Sequence, residues 1–190
     1  MGEGENTEKY YFESFSRKGQ VQVKYQHYRR SNRQLIEKAI ANTRGKNYSA
    51  VWVVIDLDLN PAMAEAEQYR QLTEDLAYAE RNKINVAYSA DAFELWFRLH
   101  YENVTGFLGR EQLYEDLSQR WTVNYDPDGK AQAFAQSIPQ LISEDDAANQ
   151  ENAIACAKNQ HQAVQHLPLS EQGAVTTVYQ LVAALLESAR

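Results

Sequence analysis

The stretch Ala50-Val51-Trp52-Val53-Val54-Ile55-Asp56-Leu57-Asp58 decides the reading of this chain. Its first six residues form a continuous apolar, largely β-branched run that is too short for a helix. That pattern predicts a central strand buried on both faces. The strand delivers Asp56 and Asp58 at its carboxyl end, where both project to the same side because strand side chains alternate. On the amino side, Val21-Gln22-Val23-Lys24-Tyr25 alternates apolar and polar residues and predicts a half-buried strand. Ser31 then caps a helix running to about Thr43, with Leu35, Ile36, Ala39 and Ile40 as its apolar face and Gly45 as its stop. On the carboxyl side, beyond Asn60-Pro61, the spacing of Tyr69, Leu72, Leu76 and Ala79 predicts a helix that stops near Asn82. Ile84-Asn85-Val86-Ala87-Tyr88 follows as a short strand. Strands alternating with helices favour an α/β fold with a mainly parallel sheet, since parallel neighbours need a crossover and a helix supplies it.

Beyond Ser89 the chain reads as almost wholly helical, with helices over roughly 91–101, 110–120, 130–138, 145–164 and 172–189. Val175, Val178, Leu181, Val182 and Leu185 form the stripe of the last one. Gly and Pro are sparse and no linker separates the halves, so residues 1–190 read as a single domain. Its α/β core spans 1–105, and 106–190 form a helical C-terminal extension.

At 190 residues and 44% hydrophobic content, the chain is long enough for one large core. It holds no apolar run of membrane-spanning length, and Gly2-Glu3-Gly4-Glu5 is no signal segment, so a cytoplasmic protein is expected. The single cysteine, Cys156, excludes a disulfide framework and a structural zinc site. A net charge of −7 argues against coating nucleic acid by bulk electrostatics. It is compatible with an acidic site that recruits a cation, which then attracts phosphate. The main basic cluster is His27-Tyr28-Arg29-Arg30, with Arg33 and Lys38 beyond it. It reads either as a solvated strand end and helix face or as a polyanion contact.

Two carboxylates at the carboxyl end of a buried strand suit one hard divalent cation such as Mg²⁺, in the place where open sheets bind ligands. The alternative is that Asp56 and Asp58 open a loop and cap the helix after Pro61. Glu3, between Gly2 and Gly4, lies on a permissive segment that is either a third acidic contributor or part of an acidic tail.

Four motifs, taken together and in order, resemble the RloB-like family. The opening Gly2-Glu3-Gly4-Glu5-Asn6-Thr7-Glu8-Lys9-Tyr10-Tyr11-Phe12 matches the family's Glu-Gly pair followed by Thr-Glu and an aromatic helix start. Val51 to Asp58 matches its strand ending in Asp-x-Asp, and Phe93-Glu94-Leu95-Trp96-Phe97-Arg98-Leu99-His100 matches its Phe-Glu-Leu-Trp-x-x-x-His helix. Thr176-Thr177-Val178-Tyr179-Gln180-Leu181-Val182 matches its Thr-rich start to the last helix. The resemblance implies a Toprim-like α/β core, metal-assisted phosphodiester cleavage, and an association with defence against phage. It implies that Glu3 is the Toprim glutamate and that Asp56 and Asp58 are the metal-binding pair, with Mg²⁺ as the cofactor and Mn²⁺ as a substitute. Two departures stand out. Ser89-Ala90-Asp91 replaces the family's Ser-Asn-Pro, leaving Asp91 to cap the helix that follows. Only Met1 and Gly2 precede Glu3 where a Toprim domain has a hydrophobic strand, so that first strand is expected to be missing or cut short.

On the helix expected at 91–101, Phe93, Trp96, Phe97 and His100 share one stripe, while Glu94, Arg98 and Tyr101 share another. Glu94 and His100 therefore point apart. Glu94 reads as a capping-box partner of Asp91, as an ion-pair partner of Arg98, or as a catalytic carboxylate. His100 reads as a core-edge histidine or, given the resemblance, as a proton donor or phosphate contact ahead of Glu94. Glu8 reads mainly as an acidic residue favoured at a helix start. Arg29 and Arg30 are the candidate phosphate contacts, and Trp52, Trp96 and Trp121 read as core.

The function expected from this set is a Mg²⁺-dependent nuclease acting on RNA, with transfer RNA among the candidates, rather than on DNA. The rival is a non-catalytic, Toprim-like partner or regulatory subunit of a defence system. A homo-oligomer or a defence-operon protein are the protein partners expected, and no membrane is.

Overall fold

The computed structural model describes residues 1–17, 20–57, 59, 63–104, 106 and 108–189. Asp58 lies outside them. The expected central strand forms as β1, Trp52–Asp56, and pairs in parallel with β2, Asn85–Ser89, in the register Trp52↔Asn85 to Asp56↔Ser89. The two strands are joined by helix α3, Glu65–Arg81, as a parallel crossover requires. Glu65 and Glu67 in its first turn and Arg81 in its last complement the helix dipole. Leu72 and Ala79 are buried, and Lys83, at φ 59°, turns the chain into β2.

The alternation of β1 divides the interior in two. Val53 and Ile55 face a cluster built from Leu35, Ile36 and Ala39 of helix α2 (Asn32–Thr43), together with Leu72 and Ala79 of α3. Val54 faces the other cluster, which is fed by α1 (Thr7–Glu13), α4 (Glu94–Arg98), α5 (Arg110–Trp121), α6 (Gln132–Glu144), α7 (Gln150–Val164) and α8 (Val178–Ser188). The result is a mixed fold in which a small parallel sheet lies between helices.

Val21–Tyr25, expected as a strand, forms no regular strand. Val23 and Tyr25 turn inward to pack on the core, as the alternation implies, but among the described residues the backbone–backbone bonds come at the ends, while the Val23 amide donates to the Ser16 hydroxyl (3.1 Å). The Arg17 amide donates to the Val21 carbonyl (2.8 Å), and the Gly2 amide donates to the Gln26 carbonyl (3.3 Å). The place beside β1 is taken by Met1 and Gly2. The Met1 amine donates to the Trp52 carbonyl (2.7 Å), the Val54 amide donates to Met1 (2.8 Å), and Gly2 bridges in parallel to Val54 and to His27. The position expected to lack a strand before Glu3 is thus occupied by these two residues.

Several helices begin or end elsewhere than their periodicity suggests. The helix expected at 91–101 is regular only over Glu94–Arg98 and unwinds into turns through Glu102. Ser31 occupies the position before α2 without a side-chain cap, and Asp91 leaves the start of α4 to another carboxylate. The helix expected to start at 145 starts at Gln150, because the Asn149 side chain accepts the Asn152 amide (2.8 Å). The last helix starts at Val178 because Val175 to Thr177 run along β2. There the Thr177 amide donates to the Tyr88 carbonyl, the Tyr88 amide donates to Thr177 Oγ1, and the Ala90 amide donates to Val175. The Ser89 and Thr176 hydroxyls bond at 2.8 Å. Among the described residues no helix is long and apolar enough to cross a membrane.

Candidate active site

A polar cleft of about 440 Å³ opens at the carboxyl end of β1. Asp56 lies at its base, with Glu3, Glu5, Glu8 and Glu94 around it, and His27, Arg29, Arg110, Tyr114 and Lys130 line the same space. Glu3 arrives there because Met1 and Gly2 are fixed to β1. Glu8 arrives because α1 begins directly afterwards, with its carboxyl group folded back over Gly4. A Cβ on residue 4 would meet that carboxyl, which would have to shift aside. The Tyr25 hydroxyl donates to the Gly4 carbonyl (2.8 Å) and pins the turn from the other side.

Two of the groups that hold Asp56 are the Phe93 amide and the Arg110 guanidinium. Oδ1 accepts the Phe93 amide (2.9 Å), so Asp56 serves the start of α4, and Oδ2 meets the Arg110 guanidinium (3.2 Å). Asp91 in turn accepts the Arg110 amide (3.2 Å) at the start of α5. Asp56 does not cap the helix after Pro61, where the position before α3 is Ala64, and Asp58 lies outside the described residues. Glu94 Oε1 accepts the buried Tyr125 hydroxyl (3.0 Å). Lys130 donates to the Tyr114 hydroxyl (2.5 Å), and its carbonyl accepts the Asn6 side chain (3.1 Å), closing the rim.

The charges crowd one another. Burial raises the Glu8 carboxyl from its ordinary 4.5 to about 7; the Glu94 charge adds to this, while amide donation from Glu8 itself and from Gly4 opposes it. Burial and the same carboxylates push the hydroxyls of Tyr25, Tyr114 and Tyr125 well above their ordinary range, so these phenols remain neutral donors.

Of the residues singled out in the sequence, Glu3, Asp56, Glu94 and Arg29 line this cleft. Arg30 is exposed and is not part of its lining. His100 stands elsewhere, 1% exposed in the aromatic core, with its ring 5.0 Å edge-on from Trp96 and 6.4 Å from Tyr11. Its Nδ1 lies 2.9 Å from the Trp96 carbonyl, and Nε2 meets no hydrogen-bond partner among the described residues. Burial lowers its pKa to about 4, so the ring is neutral. Glu8, read mainly as a helix-start residue, belongs to the cleft, as do Arg110, Tyr114 and Lys130, which no spacing in the sequence connects to β1. The legible signal for Glu8 was its distance of four residues from Gly4, the span of one helical turn.

Among the described residues no three acidic, His or Cys side chains are grouped closely enough to hold a metal ion. The pair Glu3 and Asp56 would need Asp58, outside those residues, to complete the expected set.

Neither curated proteins nor solved structures yield a match to this chain. A family model does, described as RloB-like protein and matching residues 1–185. That span takes in the glycine-flanked start, β1, α4 and the threonine-led α8 around which the cleft and its sheet are built, and the chain belongs to the RloB-like family.

Proposed function

We propose that this protein is a metal-dependent nuclease with a Toprim-like core, cutting RNA in preference to DNA, with transfer RNA among its candidate substrates. A role in defence against phage belongs to the same proposal and rests on the motif resemblance. The observation that carries the chemistry is the composition of one cleft. Asp56, at the carboxyl end of a parallel strand, shares it with Glu3, Glu8 and Glu94, while Arg29, Arg110 and Lys130 line the same walls. Carboxylates suit a hard cation and guanidinium or ammonium groups suit phosphate, so the cleft is equipped for both halves of a phosphodiester reaction.

The donor chemistry fits Mg²⁺ or Mn²⁺, hard ions that prefer carboxylate oxygens. Glu3 and Asp56 would hold the ion with Asp58. When bound, it would supply an activated water and neutralise charge developing on phosphate. The protein's own groups do the rest. Arg110 and the Phe93 amide orient Asp56, Arg29 and Lys130 receive the phosphate, and Glu94, oriented by Tyr125, is the carboxylate placed to take a proton. His100, enclosed by Trp96 and Tyr11, has no part in this scheme.

One observation favours the second reading, a non-catalytic Toprim-like subunit that binds a defence-operon partner or its own copy. Both oxygens of Asp56 are engaged in structural contacts. Incubation of labelled RNA and DNA with Mg²⁺ or Mn²⁺ separates the two. Cutting that is lost in Asp56→Ala and Asp58→Ala supports the nuclease; cutting that survives both overturns the site, and no cutting of either polymer favours the partner.

A further inference from the structure

A second cavity, of about 610 Å³, lies on the other side of Arg110, and nothing in the reading above uses it. Its walls are of two kinds. Leu57, Leu59, Tyr69 and Leu169 supply apolar and aromatic surface, and Asp91, Arg110 and Ser170 supply polar groups. This mixture and size belong to small-molecule pockets, in which a few polar groups orient a ligand that apolar walls enclose. The two cavities are continuous in chemistry, because Arg110 lines both and reaches Asp56 from between them. A group bound in the second cavity is therefore adjacent to a phosphate bound in the first.

We propose that this second cavity is a nucleobase subsite, taking the base of a nucleotide whose phosphate lies in the acidic cleft. The proposal rests on the reading that the cleft receives a phosphodiester. Tyr69 is half-buried on α3, and its ring is the one aromatic surface among the residues lining the cavity, which makes it the stacking face. Leu57 and Leu169 supply apolar wall beside it. Asp91, fixed by the Arg110 amide, presents a carboxylate that accepts from ring N–H and amino groups, and guanine offers both. Leu59, 37% exposed, would lose its contact with water when a base enters. A site of this kind grips the nucleotide beside the cut through its base as well as its phosphate.

Calorimetric titration of the full chain with GMP and with ribose 5-phosphate, in Mg²⁺ buffer, tests the subsite without any cleavage. The two ligands carry the same phosphate, so their difference reads the base. GMP should bind about tenfold more tightly, the effect of one stacked base. Tyr69→Ala should reduce GMP to the affinity of ribose 5-phosphate without altering the latter, and Tyr69→Phe should keep the advantage. Ser170→Trp, at an exposed position that tolerates substitution, should fill the cavity and abolish the advantage in the same way. Equal affinities, absence of binding by either ligand, or an advantage that survives both Tyr69→Ala and Ser170→Trp overturns the subsite. A protein that prefers GMP and cuts no RNA keeps the subsite and loses the nuclease, whereas one that cuts RNA with no such preference does the reverse.

Discussion

Glu94 and His100 stand at the two ends of one short helical segment and are almost equally buried, at 5% and 1% exposed. The first lines a polar cleft, where a tyrosine hydroxyl donates to it and another carboxylate lies close. The second is enclosed by an indole and a phenol ring, bonded to a carbonyl within its own turn. Burial alone does not separate a group that lines a cleft from one enclosed in the core. The company of each side chain does: a tyrosine hydroxyl directs the Glu94 carboxylate within a polar cleft, while burial among aromatic rings keeps the His100 imidazole neutral.

The sharpest test of the core side is Trp96→Ala. The indole is fully buried, packs against His100 and donates to the Tyr11 hydroxyl (2.7 Å), so its loss should cost about 3–5 kcal/mol in chemical denaturation. A loss below 1 kcal/mol, on the order of a surface change, would break the description of this region as core. On the cleft side, Glu94→Gln should slow RNA cleavage by about 100-fold while leaving the midpoint of thermal unfolding within a few degrees. His100→Phe should leave cleavage per folded molecule unchanged, and equal losses in the two variants would erase the contrast.

The two regions should also respond to pH in opposite directions. Glu8 has a folded pKa of about 7, above its ordinary 4.5, so its contribution to stability is complete below about 4.5 and is lost as pH rises through about 7. Glu8→Gln should therefore stabilise the protein at pH 8 relative to pH 4, by on the order of 1–3 kcal/mol in urea titrations. His100 has a folded pKa of about 4, below its ordinary 6.5, so its contribution is present above about 6.5 and is lost as pH falls through about 4. His100→Phe should flatten that acid limb, and an unchanged limb would remove His100 as its cause. The smallest effect belongs to the arginines. Arg29→Ala should weaken RNA binding a few-fold and lower the salt slope by about 0.7, the value for one single-strand phosphate contact. Arg30→Ala, outside the cleft lining, should do less.

Much of this contrast was legible in residues close together in the chain. The apolar run before Asp56 identified β1, and helical rotation placed Glu94 and His100 on different faces. The divergence holds although α4 is only five residues long, because the turns after Arg98 continue the same sense of winding. Periodicity could not reach the rest. The alternation at Val21–Tyr25 reports which side chains turn inward, and it says nothing of whether a neighbouring backbone is available to pair. Met1 and Gly2 show too little apolar pattern to be seen as strand-like, yet they take the hydrogen bonds beside β1. Glu8 was hidden by a general preference for acids at helix starts, and Arg110 and Lys130 reach the cleft only through tertiary packing. Asp58 lies outside the described residues, so its place beside Asp56 stays an expectation.

The lacing of β2 to the threonines ahead of α8 bears on when the cleft can take shape during synthesis. β1 and β2 can pair once the intervening crossover helix has formed, but Ser89 bonds to a residue 87 positions further along. Closing so long a loop costs entropy that local helix contacts do not, which makes this pairing slow. Until Thr176 has been made, the outer edge of β2 presents unpaired backbone groups to its surroundings. The helical stripes can consolidate early, whereas the sheet that positions Asp56 gains this partner only after Thr176 has been made.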